Sequence, residues 1–443
     1  MVNIMRCFWL FVGFILQGAA IAADVDRTFL YDADAKTFVQ PHEPSSLYLV
    51  GGSLIDGTGA EPRPNEGILI ANGRFQSVSA TEVPEDVVRI DAENKWILPG
   101  LFDLHAHVTF YLPSGFHAED DVVNAIRTER FLERYQAIGV TTVRDVASRH
   151  NVGYSVKRAQ RMGLMGGARL YVSGPGITVT GGHAAEFQPN EPPMYAVEAD
   201  GPWKMRQAVR QAVKMGADLI KVLPPFTEEE IATIVDEAHF WKLPVTAHVG
   251  GPQDLVQDTA RRAVASGVDS VEHLYPSGSG DALSKLLKKM KSRDIQVIPT
   301  ITYHFNELNS FSNYERDWML RKLQYSRDSV IEQLKTIHRA GISLAVGTDS
   351  NAIHMLTIAD LYASELQNLT LGNLSPMEVI QAATLNSAEA MGIGDELGSI
   401  EGGKKADLII VDQDPLESLA SVVAPSWVIQ GGKVVHRLVE NPQ

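Results

Sequence analysis

The sequence predicts an α/β protein, a (β/α)8 TIM-like barrel with a small β-sandwich domain built from both chain ends. Three observations predict it. Between residues 99 and 397, short apolar runs alternate with helical patterns, the order that yields a parallel sheet. Eight such units fit this stretch, the number and length a closed barrel needs. Turn-punctuated strand patterns flank the middle on both sides, so the two ends can share one domain. An open doubly wound sheet would want a G-x-G-x-x-G turn after an early strand, and none is well placed.

The elements follow in order. Residues 1–22 read as a secretory signal: Arg6, the apolar run Cys7–Leu16, then the small residues of GAAIA, with a cut expected after Ala22. The apolar run has ten residues, too short for a membrane span, which takes about 20. Localisation is therefore expected to be periplasmic or secreted, with no membrane attachment after cleavage. Residues 23–98 form the first part of the β-domain. Within it, Asn72-Gly73 between alternating apolar residues predicts a hairpin. The barrel strands are expected at 101–107, 140–146, 168–174, 217–223, 244–249, 269–274, 296–301 and 343–349. Helices are expected between them, for example Trp203–Met215, Thr227–Trp241 and Asp254–Ser266, with the acids 228–230 in a first helical turn. Residues 398–443 return to strands and complete the β-domain.

Composition narrows the function. The 443 residues carry 39 Lys+Arg against 54 Asp+Glu, a net charge of −15. No basic cluster suits a phosphate backbone, so a nucleic-acid partner is not expected. The single cysteine, Cys7, lies in the signal. A metal in the mature chain must then be held by histidine, carboxylate or modified lysine.

Barrel chemistry sits where strands finish, and here the strand ends carry metal-binding residue types. His105 and His107 end the first strand two residues apart, on one face. Lys221 lies on the fourth strand, His248 on the fifth, His273 on the sixth and Asp349 on the eighth. Any one of these histidines is unremarkable. Four of the 13, with one Asp and one Lys, at the ends of five strands point to a metal site. Asp103 shares the face of His105 and His107 and is expected to orient a ligand histidine. Arg144 ends strand two, placed to pair a substrate carboxylate or else a nearby acid such as Asp145. Tyr303 and His304 follow strand seven and are candidates for substrate contact.

The segments LPGLFDLHAH, ADLIKV, VTAH, VEH and GTDS, in this order, resemble the metal-dependent amidohydrolase superfamily, and the likeness extends to LVGGSLIDGTG and LGSIEGGKKADLIIVD near the ends. The lysine of ADLIKV and the loop SGPGITVTGGH resemble its imidazolonepropionase-like and Xaa-Pro dipeptidase (prolidase-like) branch. The resemblance implies two divalent metal ions, zinc by preference. His105, His107 and Asp349 would hold one and His248 and His273 the other, with Lys221 bridging as a CO2-derived carbamate. A protonated lysine cannot ligate, whereas its carbamate is an anionic oxygen donor. Asp349 would move the proton of the attacking water, and His183, in the glycine-rich loop, would bind substrate or steady the oxyanion.

The expected reaction is hydrolysis of an amide, in a dipeptide or an N-acyl amino acid, and the resemblance further implies a homo-oligomer. Two alternatives stand beside it. One keeps the fold with a single metal and acts as a cyclic-amide hydrolase, deaminase or lactonase. The other is a secreted binding protein without catalysis, which the intact ligand set argues against.

Overall fold

In the computed structural model, residues 30–32, 37–39, 46–65, 67–80, 84–85, 87–109, 120–185, 193–250, 258–273, 280–310 and 326–438 are described. The expected signal at residues 1–22 lies outside them. The chain divides into two compact units, Met1–His42 and Glu43–Gln443. In the first, β1 (Leu30–Asp32) pairs antiparallel with β2 (Thr37–Val39).

The second unit opens with strands whose alternating apolar residues need a partner sheet. They are β3 (Leu47–Val50), β4 (Ser53–Leu54), β5 (Arg63–Pro64), β6 (Ile68–Ala71), β7 (Arg74–Ser77), β8 (Val88–Asp91) and β9 (Trp96–Pro99). The expected hairpin joins β6 to β7, with Asn72 and Gly73 both at positive φ, the conformation of a tight two-residue turn. One sheet has the order β7-β6-β3-β8. The other mixes both chain ends: β20 (Leu408–Val411), β21 (Trp427–Gln430) and β22 (Lys433–Arg437) join β9, β4 and β5. Leu49, Ile68, Ile70 and Phe75 of one sheet and Ile97, Leu408, Ile410 and Ile429 of the other form a single buried apolar cluster, so both inner faces are removed from water together.

The middle of the chain supplies parallel strands. They are β10 (Leu101–His107), β11 (Val140–Asp145), β12 (Arg169–Val172), β13 (Gly176–Thr178), β14 (Ala196–Glu198), β15 (Ile220–Val222), β16 (Val245–His248), β17 (Ser270–Glu272), β18 (Gln296–Ile298) and β19 (Ser350–Asn351). Two parallel sheets result, β12-β11-β10-β19 and β14-β13-β15-β16-β17-β18. Backbone hydrogen bonds link them at both ends. Asp218 N donates to Val172 O at 2.9 Å, and Leu104 N donates to Val346 O at 2.8 Å. On the other side of that last segment, Leu344 bridges Val297 in parallel. The strands therefore follow one another in a hydrogen-bonded circuit that returns to β10. Helices alternate with them, among them Asp121–Ala137, Gly201–Met215 and Glu228–Phe240. The last is closed by a capping box between Thr227 and Glu230, with the three expected acids in its first turn.

Two of the expected strands differ in detail. The third, expected at 168–174, is β12 and ends at Val172, before Gly174, which sits at φ +73 where a Cβ would meet the Tyr154 hydroxyl at 1.8 Å. It pairs with β11, and a further strand beyond the expected range, β13, pairs with β15. The eighth, at 343–349, is not a regular strand. Gly347 packs so closely that a Cβ would lie 2.6 Å from His105 Cβ, and Asp349 turns the backbone to φ +55. Those departures interrupt the ladder but bring residue 349 against strand one. Strand seven ends at Ile298, and Ile301–Ser310 is already a helix, so Tyr303 and His304 lie in its first turn rather than on a strand end. The helix expected from Asp254 is described from Thr259 to Ser266, residues 251–257 lying outside the described set. Among the described residues no helix is long and apolar enough to cross a membrane.

Candidate metal centre

Period-two alternation places His105 and His107 on one face of β10, a register irregularity between Asp103 and Ala106 takes the expected Asp103 out of that alternation, and the turn at Asp349 brings its carboxylate to the two histidines. Asp349 Oδ1 lies 3.1 Å from His107 Nε2 and 3.6 Å from His105 Nε2. One ligand atom from each of the three residues lies within 4.8 Å of the others, the spacing of a metal site. The turn itself is pinned by Asp349 N donating to His105 O at 2.7 Å. Burial works to raise the Asp349 carboxyl, but the imidazoles of His105 and His107 and the charge of Lys221 outweigh it and hold it well below the usual carboxylate range.

Asp103 acts one step back. It accepts from Thr348 N at 3.0 Å, Thr348 Oγ1 at 2.6 Å, the Tyr135 hydroxyl at 2.9 Å and His105 N at 3.2 Å. It therefore orders the backbone beside His105 and Asp349 and, among the described residues, hydrogen-bonds to no histidine ring. Burial raises its carboxyl to about 6 against those four donors.

The other predicted histidines gather on the same side. Ring centroids of His248 and His273 are 4.3 Å apart, those of His105 and His273 4.7 Å, and those of His183 and His248 4.6 Å. His273 sits at φ +74, with Nδ1 2.9 Å from Thr300 Oγ1 and 3.9 Å from Asp349 Oδ2. Burial with repulsion from His183 and Lys221 pushes His248, and burial with repulsion from His248 and His105 pushes His273, well below the ordinary imidazole range, and burial with Lys221 lowers His105 to about 4. Neutral imidazole is the form that ligates. Lys221 Nζ is buried with no hydrogen-bond partner among the described residues. Burial, opposed by Glu272 and reinforced by Arg144, lowers its ammonium to about 8.

Arg144 is not at the mouth of the site. Its guanidinium is buried, with Nη2 2.6 Å from Glu272 Oε1 and Nε donating to Leu104 O at 2.5 Å. Of the two expected roles, pairing with an acid is the one drawn, and the acid is Glu272 rather than Asp145. Sequence reasoning missed Glu272. Next to His273 on a strand it should point to the opposite face. The left-handed backbone at His273 breaks that alternation and lets both side chains face inward.

Tyr303, about a third exposed, has its ring 6.2 Å from that of His273, and the buried His304 ring is 6.0 Å from it. Their helix is anchored by a second missed acid. Glu365 accepts from Ile301 N at 2.9 Å and Thr302 N at 2.7 Å, two of the donors a helix start leaves unpaired. Burial raises its carboxyl from 4.5 to about 7. A carboxyl raised on folding stabilises fully below its unfolded pKa, and that contribution is lost as pH rises through the folded value. Between about pH 5 and about pH 8, the unfolding free energy of the wild type should fall by roughly 2 kcal/mol more than that of Glu365→Gln. Equal pH slopes in denaturant titrations would contradict this.

The model of the amidohydrolase family matches residues 96–435. Ochratoxinase of Aspergillus niger is 27% identical, the alignment covering 88% of this chain and 87% of that protein. Imidazolonepropionase of Pseudoalteromonas atlantica is 23% identical, covering 84% of this chain and 92% of that one. Among solved structures, a Xaa-Pro dipeptidase with methionine bound in its active site aligns at TM-score 0.74 and 25% identity, covering 88% of this chain and 99% of that chain. The A. niger ochratoxinase structure aligns at TM-score 0.76 and 25% identity, covering 89% and 96%.

Proposed function

The chain belongs to the amidohydrolase family and is a hydrolase of carbon–nitrogen bonds, and from that premise we propose an exported enzyme with two divalent metal ions that cleaves the amide of a dipeptide or N-acyl amino acid. The strand circuit is read as its (β/α)8 barrel and the paired sheets as its β-sandwich. The observation that carries the binuclear reading is Lys221. Its Nζ is buried without a hydrogen-bond partner among the described residues, and its charge acts on His105, His248, His273 and Asp349 alike. Carbamylation by CO2 would turn that orphaned nitrogen into a bridging oxygen donor. His105, His107 and Asp349 would hold one ion and His248 and His273 the other. Such a set of nitrogen and oxygen donors suits zinc.

When bound, the ions would polarise the scissile carbonyl and acidify water. The remaining steps belong to the chain. Asp349, ionised and held by the turn at 349, takes the proton of the attacking water and delivers it to the leaving nitrogen. His183, whose ring lies beside His248, donates to the carbonyl oxygen as negative charge develops there. Tyr303, on the helix that Glu365 anchors, contacts the substrate. The amide assignment is supported by the likeness to the Xaa-Pro dipeptidase structure and to a prolidase complexed with N-methylphosphonate-L-proline, 25% identical at TM-score 0.73.

A single-metal reading, as a cyclic-amide hydrolase, deaminase or lactonase, has one observation in its favour: among the described residues only His105, His107 and Asp349 meet metal-site spacing. Metal analysis coupled to a substrate panel separates the two. The enzyme, expressed for export and loaded with zinc and bicarbonate, is expected to begin at Ala23, bind two ions and turn over dipeptides or N-acyl amino acids. One ion with full activity, or turnover of cyclic amides or lactones alone, would replace the proposal with the single-metal reading.

A further inference from the structure

Glu272 is completely buried, and each of its carboxylate oxygens has a separate partner. Oε1 takes Arg144 Nη2 at 2.6 Å and also the Thr246 hydroxyl. Oε2 faces His105 Nδ1 at 2.7 Å. The side chain thus joins β11, β16 and β10 from the end of β17. A glutamate present only to neutralise Arg144 could give that guanidinium both oxygens in a bidentate pair. Here the Arg144 Nε is turned away to Leu104 O, the residue before His105, and the second oxygen is left to the imidazole.

We infer that Glu272 is a positioning residue of the metal centre, accepting the Nδ1 proton of His105 so that Nε2 is the nitrogen offered to the metal. This rests on the metal-centre reading above. The orientation agrees with it, since Nε2 is the atom 3.6 Å from Asp349 Oδ1. A carboxylate behind a ligand imidazole fixes its tautomer and ring orientation and makes it a better donor. Arg144 makes the arrangement tolerable, because a buried carboxylate without a cation would be strongly disfavoured. Arg144 and Glu272 then serve one purpose from opposite sides of the strand circuit: the first holds the acid and the second holds the ligand.

The test measures zinc affinity by competition with a chelating indicator in wild type, Glu272→Gln and Glu272→Asp. Glu272→Gln keeps the shape and removes the charge. Glu272→Asp keeps the charge for Arg144 and withdraws the carboxylate from His105, and it decides the matter if the glutamine variant does not fold. Each folded variant should bind zinc about 10–100-fold more weakly than wild type. A folded variant within about twofold of wild type would overturn the inference. Nitrogen NMR of labelled histidine in the metal-free wild type, with the His105 signal identified by its loss in His105→Gln, gives a readout that packing alone would not produce. Protonated Nδ1 is expected, and protonated Nε2 would overturn the inference. A wild type that holds no zinc would instead bring down the metal-centre reading, and the inference with it.

Discussion

Replacing Asp349 with Asn is expected to lower kcat by about 10²–10⁴-fold while most of the metal is retained. Asparagine keeps an oxygen where Asp349 Oδ1 faces His107 and His105, at 3.1 and 3.6 Å. The backbone that presents it does not depend on the carboxylate. It is held by Asp349 N on His105 O and by Thr348 on Asp103. What disappears is a base that its surroundings hold ionised. The measurement is steady-state kinetics beside metal analysis on the same sample. A variant that loses metal in proportion to activity would show Asp349 to be a ligand first, and one that keeps its turnover would remove it from proton transfer altogether.

The second large effect is expected at Lys221. Lys221→Met fills a similar volume with an apolar chain, so the fold should survive: the lysine nitrogen has no hydrogen bond to lose among the described residues, and its charge is already disfavoured by burial. The proposed bridging donor is lost, however. Metal content should fall from two ions per chain to one or none, and kcat/KM should drop by ~10³-fold or more, since several kcal/mol of charge stabilisation leave with the ion. The wild type prepared without bicarbonate should show the same deficit and recover when bicarbonate and zinc are restored. Carbon NMR with labelled bicarbonate should show a carbamate signal in the wild type and none in the variant. Full activity in Lys221→Met would leave the lysine a buried packing residue and favour a single metal.

Much of this was readable from residue order. His105 and His107 are legible because side chains two apart on a strand share a face. The Asn72-Gly73 hairpin and the Thr227–Glu230 capping box are equally local, each fixed by backbone geometry within four residues. The recurrence of metal-binding residue types at the ends of five strands pointed to a shared site, because parallel strands joined by helices bring those ends to one rim.

Glu272 and Glu365 belong to the opposite class. Each is a buried acid with partners far away in sequence: Glu272 meets Arg144 and His105, and Glu365 meets Ile301 and Thr302. Arg144 likewise reads as a free cation at a strand end until Glu272 is placed beside it. The same holds for residue 349. The GTDS segment names the aspartate, but only the close approach of Gly347 to His105 and the left-handed turn at Asp349 carry its carboxylate to the histidines. The sequence by itself determined which histidines, with Lys221 and Asp349, are candidates for the chemistry, because residue type and strand-end position are local. Tertiary structure decided which buried charges neutralise one another and which ring nitrogen of His105 faces a carboxylate, because those depend on contacts that exist only once distant strands have closed together.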